Sequence, residues 1–244
     1  MDGWMEGNRG RCSDMMDIFL EKDNELSNLY IRIAKMFSTY PDVIYGFADI
    51  SFSDYRLKYK TALVFAVPHS KILTLETYKE QLFDDLVTEA RNKGELIQDK
   101  LKDIIKDSNC KYEVPPISQT DENTLIAPIS FKYAAVNAGL GWIGKNGVLV
   151  TEKHGPRVRL FVLLINSDVP VSLPVTESNC PEECFKCVNA CPHKALEGKQ
   201  WNIGMKRREI IDYQLCNQKR SLYINTHGKK HSCGFCVVAC KHGL

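Results

Sequence analysis

The sequence predicts an α/β or α+β domain followed by a smaller cysteine-rich module, and three observations carry that expectation. Helical and strand periodicities succeed one another from residue 14 to about residue 170. Pro170 and Pro174 then mark a linker over residues 168–179, and eight of the ten cysteines fall between Cys180 and Cys240. The expected division is an N-terminal extension at 1–13, an α/β cofactor-binding domain at 14–170, and a cysteine module at 171–244.

Each element has its own reason. Within residues 14–38, Leu26, Leu29, Tyr30, Ile33 and Phe37 share one helical face. Val43 to Ile50 and Thr61 to Val67 are rich in β-branched and aromatic residues and read as strands, the second closed by Pro68. Tyr78, Leu82, Leu86 and Ala90, then Ile97, Leu101 and Ile104, keep helical spacing, with Gly94 predicting a break between them. Residues 111–127 read as a loop opened by Pro115 and Pro116, and a helix from Pro128 to about Ala138 follows. Gly147 to Thr151 and Arg157 to Asn166 read as two strands joined by the turn Lys153-His154-Gly155-Pro156. Helices on a sheet of mixed direction would complete the domain.

With 244 residues, 44% hydrophobic and 25% charged, the chain has the composition of a globular protein able to bury a full core. No apolar run approaches the ~18 residues of a membrane helix. Met1 to Arg11 lacks the basic-then-apolar layout of a secretory leader. The expectation is a cytoplasmic protein, in a reducing and anaerobic setting, with no membrane partner. In that setting clustered cysteines point to metal rather than to disulfides. Residues 180–244 carry 11 Lys and Arg against 5 Asp and Glu, a balance of +6. Such an excess offsets anionic metal clusters or serves a docking surface for nucleic acid or an acidic partner.

The cysteines form two sets. The first is Cys180-x3-Cys184-x2-Cys187-x3-Cys191-Pro192; the second is Cys216-x16-Cys233-x2-Cys236-x3-Cys240. Two-cluster ferredoxins use C-x2-C-x2-C-x3-C-P, where the fourth cysteine of each run ligates the other cluster. That logic assigns Cys180, Cys184, Cys187 and Cys240 to one [4Fe–4S] cluster, and Cys191, Cys216, Cys233 and Cys236 to the other. The first gap is three residues rather than two, and Lys241 stands where the second proline would be. The alternative is a pair of four-cysteine zinc sites, for which C-x2-C pairs are also suited. Cys12 and Cys110 stand alone and read as small buried hydrophobes.

Gly139-Leu140-Gly141-Trp142-Ile143-Gly144 satisfies the dinucleotide pattern G-x-G-x-x-G, but its context is reversed. The fingerprint must follow a strand and open a helix, whereas here a helix precedes it and a strand follows. The glycines instead allow positive φ angles and a close backbone approach, either to a large planar cofactor or to the neighbouring module.

Lys132 to Asn146 (KYAAVNAGLGWIGKN), together with Gly155-Pro156-Arg157-Val158-Arg159-Leu160, Tyr45-Gly46-Phe47-Ala48-Asp49 and the two cysteine sets, resembles the epoxyqueuosine reductase-like iron–sulfur family. More distantly the chain is similar to the reductive dehalogenases. The resemblance spans about residues 43–242. It implies a nitroreductase-like α/β domain holding a cobalamin beside a ferredoxin-like two-cluster module, with electrons passing through the clusters to the corrinoid. It also implies that Lys132, Gly139, Leu140, Gly141, Trp142, Ile143, Gly144, Lys145 and Asn146 lie against that cofactor. In the family a proton-donating Asp comes just before Thr-Ala-Pro; here Thr124-Leu125-Ile126-Ala127-Pro128 puts Leu125 in its place. Phe131 stands where many short members have a His. Long members continue into a helical-repeat region that helps hold tRNA, and this chain stops four residues after Cys240. The expectation is therefore a relative for which tRNA is not a partner.

The resulting expectation is a low-potential oxidoreductase with two [4Fe–4S] clusters and a cobalamin. It would be fed by a ferredoxin or flavodoxin and act on a small-molecule or corrinoid substrate. The competing expectation is an electron carrier with no substrate of its own. Asp49 at a strand end, His69 after Pro68, and Lys132 on the helix before the glycines are the candidate catalytic groups.

Overall fold

The computed structural model describes residues 28–117, 125–222 and 232–244. In chain order the elements are helix α1 (28–37), strand β1 (Ile44–Asp49), strand β2 (Thr61–Pro68), helix α2 (Glu80–Asp107), strand β3 (Tyr112–Glu113) and helix α3 (Phe131–Asn137). Strands β4 (Trp142–Ile143), β5 (Leu149–Val150) and β6 (Val158–Ile165) follow, then the short helices α4 (Lys186–Asn189), α5 (Tyr213–Ser221) and α6 (Phe235–Val238). Cys12 and residues 14–27 of the expected first helix lie outside the described residues.

Four strands form one sheet in the order β1-β2-β6-β3. Every pairing in it is antiparallel, so the expected mixed sheet is corrected to an antiparallel one, and the fold is α+β. Strand direction follows from where distant segments return, and local alternation carries no record of it. β2 is central and buried on both faces, which accounts for its unbroken apolar run. Its alternate residues serve two cores. Leu63, Phe65 and Val67 pack with α1 and α2, through Leu29, Ile33, Phe37, Ile97 and Leu101. Ala62, Val64 and Ala66 face α3, the β4–β5 hairpin, and Trp201 and Ile210 of the cysteine-bearing segment. The result is a sheet covered on both sides.

α2 runs 28 residues without interruption through Gly94. A Cβ at Gly94 would stand 2.0 Å from the ring of Phe161, which is itself stacked on Phe65 with centroids 4.9 Å apart. The glycine is a notch that lets the helix lie close on β6, not the expected break. α3 starts three residues later than expected, with the Ser130 hydroxyl accepting from the Tyr133 amide at its N-terminus. β5 pairs with β4 rather than with β6, so the expected hairpin across residues 152–156 is corrected to β4–β5. The linker is anchored: Ser172 N–H donates to Phe47 O at 2.8 Å, and Val175 N–H donates to Val136 O at 2.9 Å. Among the described residues no helix is long and apolar enough to cross a membrane.

Candidate functional site

The short helices α4 and α6 bring the two cysteine sets together. Cys180, Cys184, Cys187 and Cys240 all line one cavity of about 360 Å³, with Lys145, Asn146 and His242 among the other walls. Burial pushes the Cys187 thiol up to about 12, and the nearby Cys240, Cys180 and Cys184 thiols add to the shift. Cys240 is raised by burial, then by Cys180 and Cys184. The other four behave as a second group. Cys233 is raised by burial and by Cys216 and Cys191. Cys236 is pushed up to about 12 by burial, with contributions from Cys233, Cys187, Cys216 and Cys191. Each group thus mixes both sequence sets, and Cys187 and Cys236 are the near edge between them.

A second, larger cavity of about 660 Å³ adjoins the second group at Cys233. Its apolar walls include Leu125, Ile129, Leu149, Leu160 and Val237, and its basic lining includes Lys132, Arg159 and Arg207. His69 also lines it, edge-on to Phe83 at 5.6 Å. Burial, then Arg159 and Arg157, lowers His69 to about 4, so the ring is neutral at neutral pH. Lys132 donates to Gly147 O, and burial next to Arg207 lowers it to about 8 despite the opposing pull of Cys236 and Cys216. Leu125 holds a φ of 54°, unusual for a side chain with a Cβ, and its carbonyl accepts from Arg207 at 2.9 Å.

Asp49 lies outside this cavity. It is exposed at the end of β1, where its carboxylate accepts from the Ser51 amide and closes a turn. Of the residues expected against a cofactor, Lys132 lines the large cavity, while Lys145 and Asn146 line the cysteine cavity. Gly139, Leu140, Gly141, Trp142 and Gly144 line neither of these two cavities, and Ile143 lines a third, smaller one with Lys132, Trp201 and Arg207. The reason is backbone packing. A Cβ on Gly141 would meet Val150 O at 2.1 Å across the β4–β5 hairpin. The segment is shaped by its own hairpin and presents Lys145 and Asn146 to the cysteine loops.

Those two side chains, with Arg157, hold main-chain carbonyls of the cysteine segment. Lys145 Nζ donates to Pro181 O at 3.0 Å, to Glu182 O, and to Cys184 O at 3.3 Å. Asn146 Nδ2 donates to Cys236 O at 3.2 Å. Arg157 donates to His242 O at 2.7 Å and to Cys240 O. Gly155 permits this docking, since a Cβ there would stand 2.0 Å from His242 O. Sequence reasoning missed Arg157 and Arg207 as site residues. The signal for Arg157 was its place in Gly155-Pro156-Arg157; Arg207, in a run of basic residues, gave none.

Comparison with known proteins adds the family likeness. A stretch of 114 residues, 47% of this chain, is 34% identical to an epoxyqueuosine reductase of Synechococcus sp. and spans 34% of that protein. Another of 151 residues, 59% of the chain, is 30% identical to an epoxyqueuosine reductase of Cyclobacterium marinum and spans 46% of it. This chain is similar to the epoxyqueuosine reductases. It spans less than half the length of these curated relatives. No family model matches it. In fold it resembles the epoxyqueuosine reductase of Streptococcus thermophilus, with a TM-score of 0.52 at 16% identity over 88% of this chain and 66% of the other. A catabolic reductive dehalogenase in complex with 3-bromo-4-hydroxybenzoic acid matches with a TM-score of 0.53 at 17% identity, over 76% of this chain and 26% of that one.

One comparison overturns an expectation. An epoxyqueuosine reductase bound to an epoxyqueuosine-modified tRNA stem loop matches 89% of this chain with a TM-score of 0.54 at 19% identity, covering 66% of that chain. The expectation that tRNA is not a partner is therefore corrected. It rested on the helical-repeat region of long members, on Leu125 and on Phe131.

Proposed function

We propose that this chain is an iron–sulfur and cobalamin reductase, built from a nitroreductase-like domain at about residues 14–170 and a ferredoxin-like module at 171–244. The observation that carries the reading is the interleaving of the thiols: four from both sequence sets ring one cavity, and the other four meet beside the large one. Two [4Fe–4S] clusters fit these donors, Cys180, Cys184, Cys187 and Cys240 holding the first and Cys191, Cys216, Cys233 and Cys236 the second.

The large cavity suits a broad group with an apolar face and anionic or amide substituents. Leu149, Val158 and Leu160 supply the apolar wall, and Lys132, Arg159 and Arg207 supply donors. A cobalamin held there would supply the low-potential electron chemistry beside the second cysteine group. The chain's own part is orientation, exclusion of water and supply of a proton. Leu125 cannot give one, and His69, neutral at neutral pH, carries no acidic proton, which leaves the Lys132 ammonium, with the Tyr133 phenol on the same wall. An epoxide carried on a tRNA stem loop is the first substrate to test, since a structural neighbour holds one.

The test is anaerobic EPR on iron-reconstituted protein mixed with cob(II)alamin, before and after dithionite. Reduced-cluster signals together with loss of axial nitrogen splitting at cobalt support the reading. Clusters without any change at cobalt would make the chain an electron carrier, and the absence of cluster signals would overturn the iron–sulfur assignment.

A further inference from the structure

Lys145 is a fully buried cation, 2% exposed, on the wall of the cysteine cavity. Its three ammonium hydrogens are taken by the carbonyls of Pro181, Glu182 and Cys184, and the Phe185 ring lies 4.4 Å away. These neighbours satisfy its hydrogen bonds but not its charge. Among the described residues no carboxylate forms an ion pair with it. Arg157 repeats the pattern at the other side of the same cysteine group. It is 3% exposed, donates to the carbonyls of Cys240 and His242, and also pairs with no carboxylate among the described residues. Its Nε has no acceptor there either.

Two buried cations without a buried anion are costly, by several kcal/mol each in real proteins, unless a negative group completes the site. The cavity that Lys145 lines carries four thiols and no Asp or Glu, and its two other lysines, Lys186 and Lys241, are exposed. We propose that Lys145 is the built-in counter-charge of the group bound by Cys180, Cys184, Cys187 and Cys240, acting as a positioning residue that stabilises its reduced, more negative state, with Arg157 as its counterpart on Cys240. This rests on the iron–sulfur reading and adds a role for residues that ligate nothing. Reduction of a cluster by one electron deepens the negative charge in the cavity by one, with dithionite as reductant and no proton required. Removing the buried positive charge makes that electron harder to add.

The carbonyl contacts give the second half of the role. The loop Pro181 to Phe185 folds around one ammonium, so Cys180 and Cys184 are set by the same side chain that supplies the charge. Asn146, the next residue, reaches the other cysteine group through Cys236 O and carries no charge. It is the natural internal control.

The experiment is anaerobic potentiometry followed by EPR, reading both cluster midpoints in wild type, Lys145→Met, Lys145→Arg and Asn146→Ala. Lys145→Met is expected to weaken reduction of the first cluster at least tenfold, a downward shift of about 59 mV or more. The second cluster should hold its potential, and Lys145→Arg should restore the first. An unshifted first cluster, or equal shifts in both, overturns the proposal. If Lys145→Met loads no first cluster, Lys145→Arg decides: a loaded site near the wild-type potential supports the role, and an empty one overturns it. An Asn146→Ala shift as large as that of Lys145→Met would also overturn it, because loop disturbance would then suffice. Wild type without two cluster signals fails the iron–sulfur reading itself, and the proposal falls with it.

Discussion

The two cavities are built from similar parts to different ends. The cysteine cavity is walled by Lys145, which donates to Cys184 O, and Arg157, behind that wall, donates to Cys240 O. The large cavity has basic groups too, and there Lys132 and Arg207 reach one carbonyl each, of Gly147 and Leu125, while standing among apolar walls. One is a socket whose cysteine loops are held by the bonds from Lys145; the other is a chamber with open apolar walls. The difference is one of degree: Lys145 reaches three carbonyls, Lys132 and Arg207 one each, so what a cation donates to the chain sets what it has left for a ligand.

The largest expected effect tests the interleaving. Cys240→Ala should lose the cluster of the first cysteine group and about half of the bound iron, whereas Cys236→Ala should lose the other, as read by iron content and EPR. Loss of the same cluster in both variants would break the distinction between socket and chamber.

Acid should act through the chamber. His69 takes its proton at about 4 in the folded chain against 6.5 when unfolded. The unfolded chain therefore binds the proton first, and stability present above pH 6.5 is lost as pH falls toward 4, by up to about 3 kcal/mol. Urea titrations at pH 7.5 and pH 5 should show this loss, and His69→Phe should reduce it. An unchanged slope in the variant would remove His69 from the account.

Leu125→Asp should sharpen the chamber's chemistry. It places an acid where the resembled family has one, on a backbone with φ 54° that Asp tolerates better than Leu. Turnover of tRNA-borne epoxide should rise by about 100-fold if protonation limits the wild-type reaction. No gain would place proton supply with Lys132.

That Cys180, Cys184 and Cys187 share one cavity was legible because x2 and x3 spacings are local, while the place of Cys240 beside them followed from the ferredoxin pattern. β1, β2, β6 and α3 were legible from their apolar spacing for the same reason, whereas β3 falls in the expected loop at 111–127 and β4 in the glycine segment. What could not be read depends on partners far along the chain. Gly94 looks like a helix breaker until Phe161, on another element, is found in the space its side chain would occupy. Lys145 and Asn146 look like part of a glycine-rich cofactor loop until the carbonyls of Cys184 and Cys236 are found opposite them. The antiparallel sheet and the β4–β5 pairing are likewise products of long-range return.

The smallest predicted effect concerns that notch. Gly94→Ala gains about 1 kcal/mol of helix propensity but drives a methyl into a stacked ring, so a net loss of about 2 kcal/mol is expected by denaturation. Gly204→Ala, whose nearest neighbour would be 3.4 Å away, should change little.

The notch also works as a gauge. Phe83 lies eleven residues before Gly94 on the same unbroken rod, about 16 Å along its axis, and forms part of the chamber wall while touching Gly234 beside Cys233. Seating the helix at one absent side chain therefore sets the width of the chamber at a distance. Anything that lifted the rod at Gly94 would be felt as a wider opening next to the second cysteine group.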